Sequence, residues 1–275
     1  MRSIAVMNQK GGVGKTTTAV NLSAAIAAAG HRVCLIDLDP QAHASLHLGI
    51  ALGDDDLSMY EVLTGESTLA EVQQTIDPTL TLIPAHLNLA AAEMELAGEV
   101  GRDMILRDRW KPHADSYDYL IIDCPPSLGL LTLNALTTVQ EVFLPLQPHF
   151  LALHGLSKLL QTIELVATRL NSQLRLTGVV MCMFDAGTRL ANEVTRDVEQ
   201  FFESHAQGRA VWAGACCFQS RIRRNVRLAE APSFGQSIFQ YAPKSHGAED
   251  YHDLAQEVLG LAVPQRLAPV IEAAA

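Results

Sequence analysis

The chain has 275 residues, of which 48% are apolar and 18% are charged, and this composition excludes a disordered or collagen-like protein. Acidic residues outnumber basic ones by 30 to 20, and the formal charge of −10 argues against a surface that attracts nucleic acid over its whole extent. Any contact with nucleic acid must therefore be local. Five cysteines at irregular spacing predict a reduced, cytoplasmic chain without a thiolate metal site.

Short apolar runs alternate along the chain with longer segments of helical periodicity. In chain order we predict strand 4–7, helix 16–29, strands 32–37 and 79–83, helix 87–100, strand 119–123, helix 130–139, strand 141–146, helix 153–170, strand 176–183 and helix 191–204. The strands are unbroken apolar runs, which indicates burial on both faces. The order predicts an α/β fold: a mostly parallel, twisted sheet flanked by helices on both faces. We expect one domain over residues 1–262 and a loosely ordered tail at 263–275.

A glycine-rich loop, residues 9–17 (QKGGVGKTT), follows the first predicted strand and runs directly into the first helix. Glycines let backbone N–H groups surround phosphate oxygens, and a helix N-terminus adds partial positive charge. Lys15 is placed to reach the β- and γ-phosphates, and the Thr16 hydroxyl to bind Mg²⁺. Gln9 replaces the usual glycine, so the loop is a variant form with an additional lysine. We predict a site for ATP and Mg²⁺ formed by Lys10, Gly11, Gly12, Val13, Gly14, Lys15, Thr16 and Thr17.

Acidic residues follow two later strands: Asp37 and Asp39 in one segment and Asp123 in another. The carboxyl ends of parallel strands meet at one edge of a sheet, where such sheets bind ligands. We predict that Asp123 holds Mg²⁺ through water and that Asp39 orients the attacking water. A single aspartate after a strand is more often a helix cap. The glycine-rich loop nearby favours the metal site.

Five blocks of sequence, spread from end to end, contain these features. They are residues 8–18, 35–41, 117–131 (YDYLIIDCPPSLGLL), 153–160 and 224–235 (RNVRLAEAPSFG). In these blocks the chain resembles the ParA/Soj family of partition ATPases, within the deviant-Walker group that includes MinD and the nitrogenase iron protein. The last block is more specific to ParA than the glycine-rich loop.

The resemblance implies a slow, Mg²⁺-dependent ATP hydrolase that forms a homodimer with ATP and is stimulated by a ParB-like protein. Lys10 would cross the dimer interface to the partner's ATP phosphates, and Gly11 would lie where two backbones approach closely. Lys10, Lys15 and Asp39 would then be the catalytic residues. Asn225 would bond the adenine.

The resemblance also implies non-specific DNA binding by the ATP-bound dimer, and Arg227 matches a DNA-contacting arginine of the family. Arg221, Arg223, Arg224 and Arg227 form a basic cluster in the sequence. From these we predict DNA contacts by Arg221, Arg224 and Arg227, because charges beyond about 8 Å are largely screened at physiological salt. A solvated basic turn is the equally weighted alternative.

Two positions depart from the family's usual pattern. Gly187 stands where relatives often have an arginine, and Arg189 follows two residues later. Arg223 stands where relatives often have a proline, in the segment that packs near the adenine. The first departure bears on a DNA contact and the second on the fit of the base.

A MinD-like or cargo-positioning ATPase, acting on a membrane or another large assembly, is the alternative function. MinD-like chains end in a basic amphipathic helix, whereas residues 261–275 contain a single basic residue, Arg266, and two prolines. An iron-sulfur reductase needs paired cluster ligands, and Cys124 has no matching cysteine. We therefore expect chromosome or plasmid partitioning on the nucleoid, with no membrane contact.

Overall fold

The strands form a single eight-stranded sheet in the computed structural model, which describes residues 1–149, 152–208 and 210–261, with the backbone alone at 152–155. The strands are β1 (Arg2–Val6), β2 (Val33–Asp37), β3 (Gln74–Asp77), β4 (Leu80–Ile83), β5 (Tyr119–Asp123), β6 (Glu141–Leu146), β7 (Arg175–Phe184) and β8 (Cys216–Arg223). Their order across the sheet is β3-β4-β2-β5-β1-β6-β7-β8. All neighbours pair in parallel except β3 and β4, which pair antiparallel.

Helices cover both faces of this sheet. They are α1 (Lys15–Ala28), α2 (His43–His47), α3 (Met59–Thr64), α4 (Leu69–Val72), α5 (Leu89–Glu95), α6 (Ile105–Trp110), α7 (Leu130–Thr138), α8 (Ala152–Arg169), α9 (Arg189–His205), α10 (Val226–Glu230), α11 (Ile238–Tyr241) and α12 (His246–Gly260). One apolar core lies under α1, α2 and α10–α12, and a second lies under α3–α9. The predicted fold class, a mostly parallel sheet flanked by helices on both faces, is confirmed.

Strand β1 shows why the central strands are mostly apolar. Ile4 and Val6 belong to one core, whereas Ala5 and Met7 belong to the other, and all four are at most 1% exposed. Since successive side chains point to opposite faces of a strand, a strand covered on both faces is mostly apolar, and the buried Arg2 at the start of β1 is paired with the buried Glu141 of β6. The unbroken apolar runs in the sequence therefore identified these strands.

The six predicted strands and five predicted helices are all present, but the prediction omitted both edge strands and the short helices α2, α3, α4, α6, α10 and α11. Strand β3 is partly exposed along its length and carries polar residues, and β8 has an exposed middle, so neither has the apolar pattern of a buried strand. Helix α12 was also missed. The helix predicted over 87–100 is shorter: α5 ends at Glu95 and a 3₁₀ turn follows at Leu96–Gly98. The tail predicted at 263–275 lies outside the described residues.

The register aligns the strand ends that carry the predicted site. Val6 pairs with Asp123, and Asp123 pairs with Asp37 on the other side of β5. The glycine-rich loop leaves β1 at the same edge, so the loop and both carboxylates are neighbours. Within the described part of the chain, no helix combines the length and apolar character needed to cross a bilayer.

Candidate active site

The glycine-rich loop turns from β1 into α1 through two glycines with left-handed backbone angles. Gly12 has φ 71° and Gly14 has φ 95°, values that residues with a Cβ rarely adopt. Gly14 is the N-cap of α1, and its carbonyl accepts the N–H of Thr18 at 2.9 Å. The unpaired N–H groups of the first helical turn thus face the loop, which is a favourable place for a phosphate.

The two lysines of the loop have different surroundings. Lys15 is only 7% exposed, and its Nζ donates to the carbonyl of Lys10 at 3.3 Å, so its charge lies inside the curve of the loop. Lys10 is exposed, and its Nζ contacts Nε2 of His149. Its backbone N–H donates to Oδ1 of Asn8 at 3.0 Å. The two lysines thus differ in both exposure and hydrogen-bond partner.

The remaining residues of the loop range from exposed to buried. Gly11 is exposed, and a Cβ added there would meet no atom within 4 Å. Val13 is 2% exposed and anchors the loop in the core. Thr16 and Thr17 are half-buried in the first turn of α1. The structure therefore tolerates a larger side chain at position 11 within a single chain.

Asp37 is fixed by hydrogen bonds within its own segment. Its Oδ2 accepts the backbone N–H and the hydroxyl of Ser45, both at 2.8 Å, and its Oδ1 accepts the N–H of Asp39 at 3.2 Å. Burial raises the pKa of Asp37 to about 6, and the negative charge of Asp39 also raises it. Ser45 was not identified from the sequence, because a lone serine in a helix carries no motif.

Asp39 follows β2 by two residues and is only 7% exposed. Its Oδ1 accepts the backbone N–H of Gln41 at 3.0 Å, which fixes the carboxylate in a tight turn. Within the described chain no hydrogen bond to Oδ2 is formed, so this oxygen can accept one from water. This geometry fits the water-orienting role predicted for Asp39.

Asp123 is fully buried, and neither of its carboxylate oxygens has a hydrogen-bond partner among the described residues. Burial raises the pKa of Asp123 well above its usual value, and the charge of Asp37 raises it further, whereas the Thr16 hydroxyl and Lys15 act to lower it. An unpaired buried carboxylate is costly. A hydrated Mg²⁺ between Asp123 and Thr16 would remove this cost, so the donor set fits the ion.

The Mg²⁺ site inferred at Asp123 predicts that Asp123→Asn changes the stability of the nucleotide-free chain and of the Mg²⁺·ATP-bound chain differently. The neutral amide removes a buried charge, so we expect the nucleotide-free variant to be more stable than the unsubstituted chain by about 1–2 kcal/mol. The stabilisation that Mg²⁺ and ATP give the unsubstituted chain should be lost. Thermal unfolding with and without Mg²⁺·ATP measures both effects. Asp115→Asn, at an exposed position, is the control, and an Asp123→Asn variant still stabilised by Mg²⁺·ATP would contradict the assignment.

A pocket of about 410 Å³ opens beside the glycine-rich loop. Gly14 and Thr17 line one side of it, and Asn225, Val226 and Leu228 line another. Asn225 is the N-cap of α10, where its Oδ1 accepts the N–H of Arg227 at 2.8 Å. Its amide Nδ2 makes no hydrogen bond among the described residues and can act as a donor. The size and apolar lining suit a purine ring next to the phosphates.

The structure shows how this chain accommodates Arg223 in place of proline. The backbone N–H of Arg223, which a proline lacks, donates to Oδ2 of Asp250 at 2.8 Å. Its guanidinium binds Asp250 and Glu249, which ties β8 to α12 and raises the pKa of the Arg223 side chain.

Met183, also in the pocket wall, has φ 51°. The sequence carried no signal for this left-handed methionine.

Three of the four arginines in the basic cluster are paired with acidic groups of the same chain. Arg221 is 19% exposed and binds Glu199 at 2.7 Å, and Arg227 binds Glu230 at 2.8 Å. Arg224 is exposed and makes no ion pair within the described residues. Acidic side chains of the same chain thus neutralise most of the arginine cluster predicted from the sequence. Within the described residues, Arg224 supplies the positive charge of the cluster that is not paired.

The fold and this loop define the class: a P-loop nucleoside triphosphatase with a second lysine in the phosphate loop. The model of the AAA domain family matches residues 1–176. The sporulation initiation inhibitor protein Soj of Bacillus subtilis is 45% identical over 93% of this chain and 97% of its own length. The chromosome partitioning protein ParA of Myxococcus xanthus is 42% identical over 96% and 90%.

A solved structure shows the same fold. Cobyrinic acid a,c-diamide synthase from Mycobacterium smegmatis, with a bound ATP analogue and magnesium, is 35% identical, covers 94% of each chain and has a TM-score of 0.80. Together with the relatives above, the comparisons confirm the resemblance drawn from the sequence. The chain belongs to the Soj/ParA family of chromosome-partitioning ATPases.

Proposed function

We propose that this chain binds Mg²⁺·ATP at the glycine-rich loop, dimerises with ATP, and partitions a chromosome or plasmid by binding DNA non-specifically. A ParB-like protein stimulates its slow hydrolysis of ATP. The observation that supports the nucleotide site most strongly is the buried, unpartnered carboxylate of Asp123 behind Thr16 and Lys15. The 35% identical structure that holds an ATP analogue and magnesium supports the same ligands here.

Each residue of the proposed site has a distinct role. Backbone N–H groups of residues 11–16 and the ammonium of Lys15 bind the β- and γ-phosphates, and Asn225 Nδ2 donates to the adenine. Thr16 and, through water, Asp123 hold Mg²⁺, which neutralises phosphate charge when bound. Asp39 orients the attacking water. Phosphoryl transfer depends mainly on such positioning and charge stabilisation.

Dimerisation is proposed to place Lys10 of each chain on the phosphates of the other. Lys10 is exposed, and its ammonium contacts His149 at the surface of the loop, so it can reach a second molecule. Gly11 lies beside it with open space where a side chain would be, which leaves room for the approach of a second backbone. An ammonium in a closed interface makes association depend on the γ-phosphate.

DNA binding is proposed to follow from dimerisation, because two arginine clusters contact more phosphates than one. The experiment that tests the proposed function is DNA binding measured with ATP, with ADP and without nucleotide at two salt concentrations. We expect tight binding with ATP alone and a steep loss of affinity at the higher salt. Equal binding in all three nucleotide states would contradict the proposal.

The exposure of the arginines predicts their order of importance for DNA. Arg224→Ala and Arg227→Ala should each weaken binding by several-fold and reduce the salt dependence, because each removes about one phosphate contact. Arg221→Ala should have the smaller effect, since Arg221 is mostly buried against Glu199. A gel shift at two salt concentrations, with ATP binding measured in parallel, checks this order. A larger loss for Arg221→Ala would contradict it.

A further inference from the structure

The carboxylate of Glu93 on α5 lies against the first turn of α7. Its Oε1 accepts the backbone N–H of Leu131 at 3.2 Å. This N–H is one of the orphan donors at the start of a helix, and the negative charge is favourable there. Residue Gly129 is the N-cap of α7 and has no side-chain cap of its own, so Glu93 supplies the cap from another helix.

Gly129 provides the space that the carboxylate occupies. A Cβ built at Gly129 would lie 3.0 Å from Cδ of Glu93 and well inside van der Waals contact with Oε1. The backbone of Gly129 has φ −87° and ψ −165°, a conformation open to alanine. Alanine at this position is therefore compatible with the fold and incompatible only with the observed position of the Glu93 carboxylate.

Hydrogen bonds connect the first turn of α7 to the loop that follows Asp123. The N–H of Cys124 donates to the carbonyl of Val6 at 3.2 Å, at the start of this loop, residues 124–129. At its end, the Thr132 hydroxyl donates to the carbonyl of Ser127 at 2.6 Å. Displacing the first turn of α7 thus moves the segment that lies between it and the buried carboxylate of Asp123.

We propose that Glu93 is a positioning residue for ATP hydrolysis, which acts by holding the start of α7 and with it the loop 124–129. The inference rests on the proposed nucleotide site. Glu93 is partly buried, and α5 and α7 belong to the core on the sheet face opposite α1, so we assign Glu93 no contact with the nucleotide. Glu93 acts by fixing the position of the loop 124–129, because even a small displacement of a catalytic group lowers the reaction rate.

The test compares Glu93→Ala, Glu93→Gln, Gly129→Ala and the double variant E93A/G129A. Loss of the cap in Glu93→Ala and its displacement in Gly129→Ala should each lower kcat about tenfold, with the KM for ATP within about twofold. Glutamine still accepts from Leu131, so Glu93→Gln should remain near the unsubstituted rate. The double variant should equal either single variant, because both remove the same contact.

Glu95→Ala is the matched control, since Glu95 lies on the same helix but accepts a hydrogen bond from Tyr60 at 2.9 Å. An equal loss with Glu95→Ala, additive effects in the double variant, or an unchanged kcat in Glu93→Ala would overturn the inference. Hydrogen exchange at residues 124–131 provides a readout independent of turnover: Glu93→Ala and Gly129→Ala should raise it and Glu93→Gln should not. An unsubstituted chain without ATPase activity would refute the proposed function, while the exchange data would still show whether Glu93 holds the start of α7 and the loop 124–129.

Discussion

Replacing Asp39 with alanine is expected to lower ATP turnover about a hundredfold while leaving ATP-dependent dimerisation intact. Asp39 is held by the N–H of Gln41, and among the described residues it forms no hydrogen bond or ion pair with Lys15 or Thr16. Its loss therefore removes the orientation of the attacking water but not the phosphate contacts. The dimer should remain closed around ATP.

A dimer that cannot hydrolyse ATP should also remain on DNA. We expect Asp39→Ala to dissociate from DNA far more slowly than the unsubstituted chain after ATP is washed out, because hydrolysis normally ends the bound state. Surface-immobilised DNA and a buffer exchange measure this residence time. Asp54→Ala, in the exposed loop after residue 52, is the control. Rapid release together with unchanged hydrolysis would contradict the role assigned to Asp39.

Lys10→Ala is expected to abolish the ATP-dependent dimer at micromolar protein. Removing one partner of a buried charge pair costs about 2 kcal/mol or more, and each dimer loses two such pairs. ATP binding to the single chain should persist, since Lys15 and the backbone of the loop are unchanged. Light scattering with ATP measures the dimer, and a fluorescent nucleotide measures the binding.

Gly11→Val tests the proposed dimer interface without changing the fold of the single chain. A side chain at position 11 meets nothing within 4 Å in one chain, so the variant should fold and bind ATP. It should stay monomeric, because the added methyl groups occupy the space proposed for the partner's backbone. Unchanged ATP-dependent dimers in both Lys10→Ala and Gly11→Val would defeat the proposed interface.

The sequence predicted the centre of the fold better than its edges. The central strands are buried on both faces. Burial on both faces requires a run of apolar residues, and such a run is easily recognised in the sequence. Edge strands β3 and β8 have solvent on one side and accept polar residues, so hydropathy did not distinguish them from loops. Among the helices, the prediction contained α1, α5, α7, α8 and α9, and it missed the short helices α2–α4, α6, α10 and α11 as well as the longer α12.

Residues of the site were predictable where chemistry restricts the residue type. Glycines at 12 and 14 are required by their left-handed backbone, and Asp123 is identified by its place at a strand end. Partners supplied by distant segments were not predictable. Glu249 and Asp250 of α12 neutralise Arg223, and Glu199 neutralises Arg221, although each pair is far apart in sequence. The arginine cluster therefore looked more positive in the sequence than it is in the fold.

The central claim is that Lys10 acts on the ATP of the partner chain, and mixing two inactive variants tests it most directly. In a dimer of one Lys10→Ala chain and one Asp39→Ala chain, one site keeps its own Asp39 and receives an intact Lys10 from its neighbour. We predict that an equimolar mixture recovers turnover well above that of either variant alone, up to about a quarter of the unsubstituted value, which is the limit for random pairing with one complete site in each mixed dimer. A mixture as inactive as its two components would show that Lys10 acts within its own chain and would contradict the account.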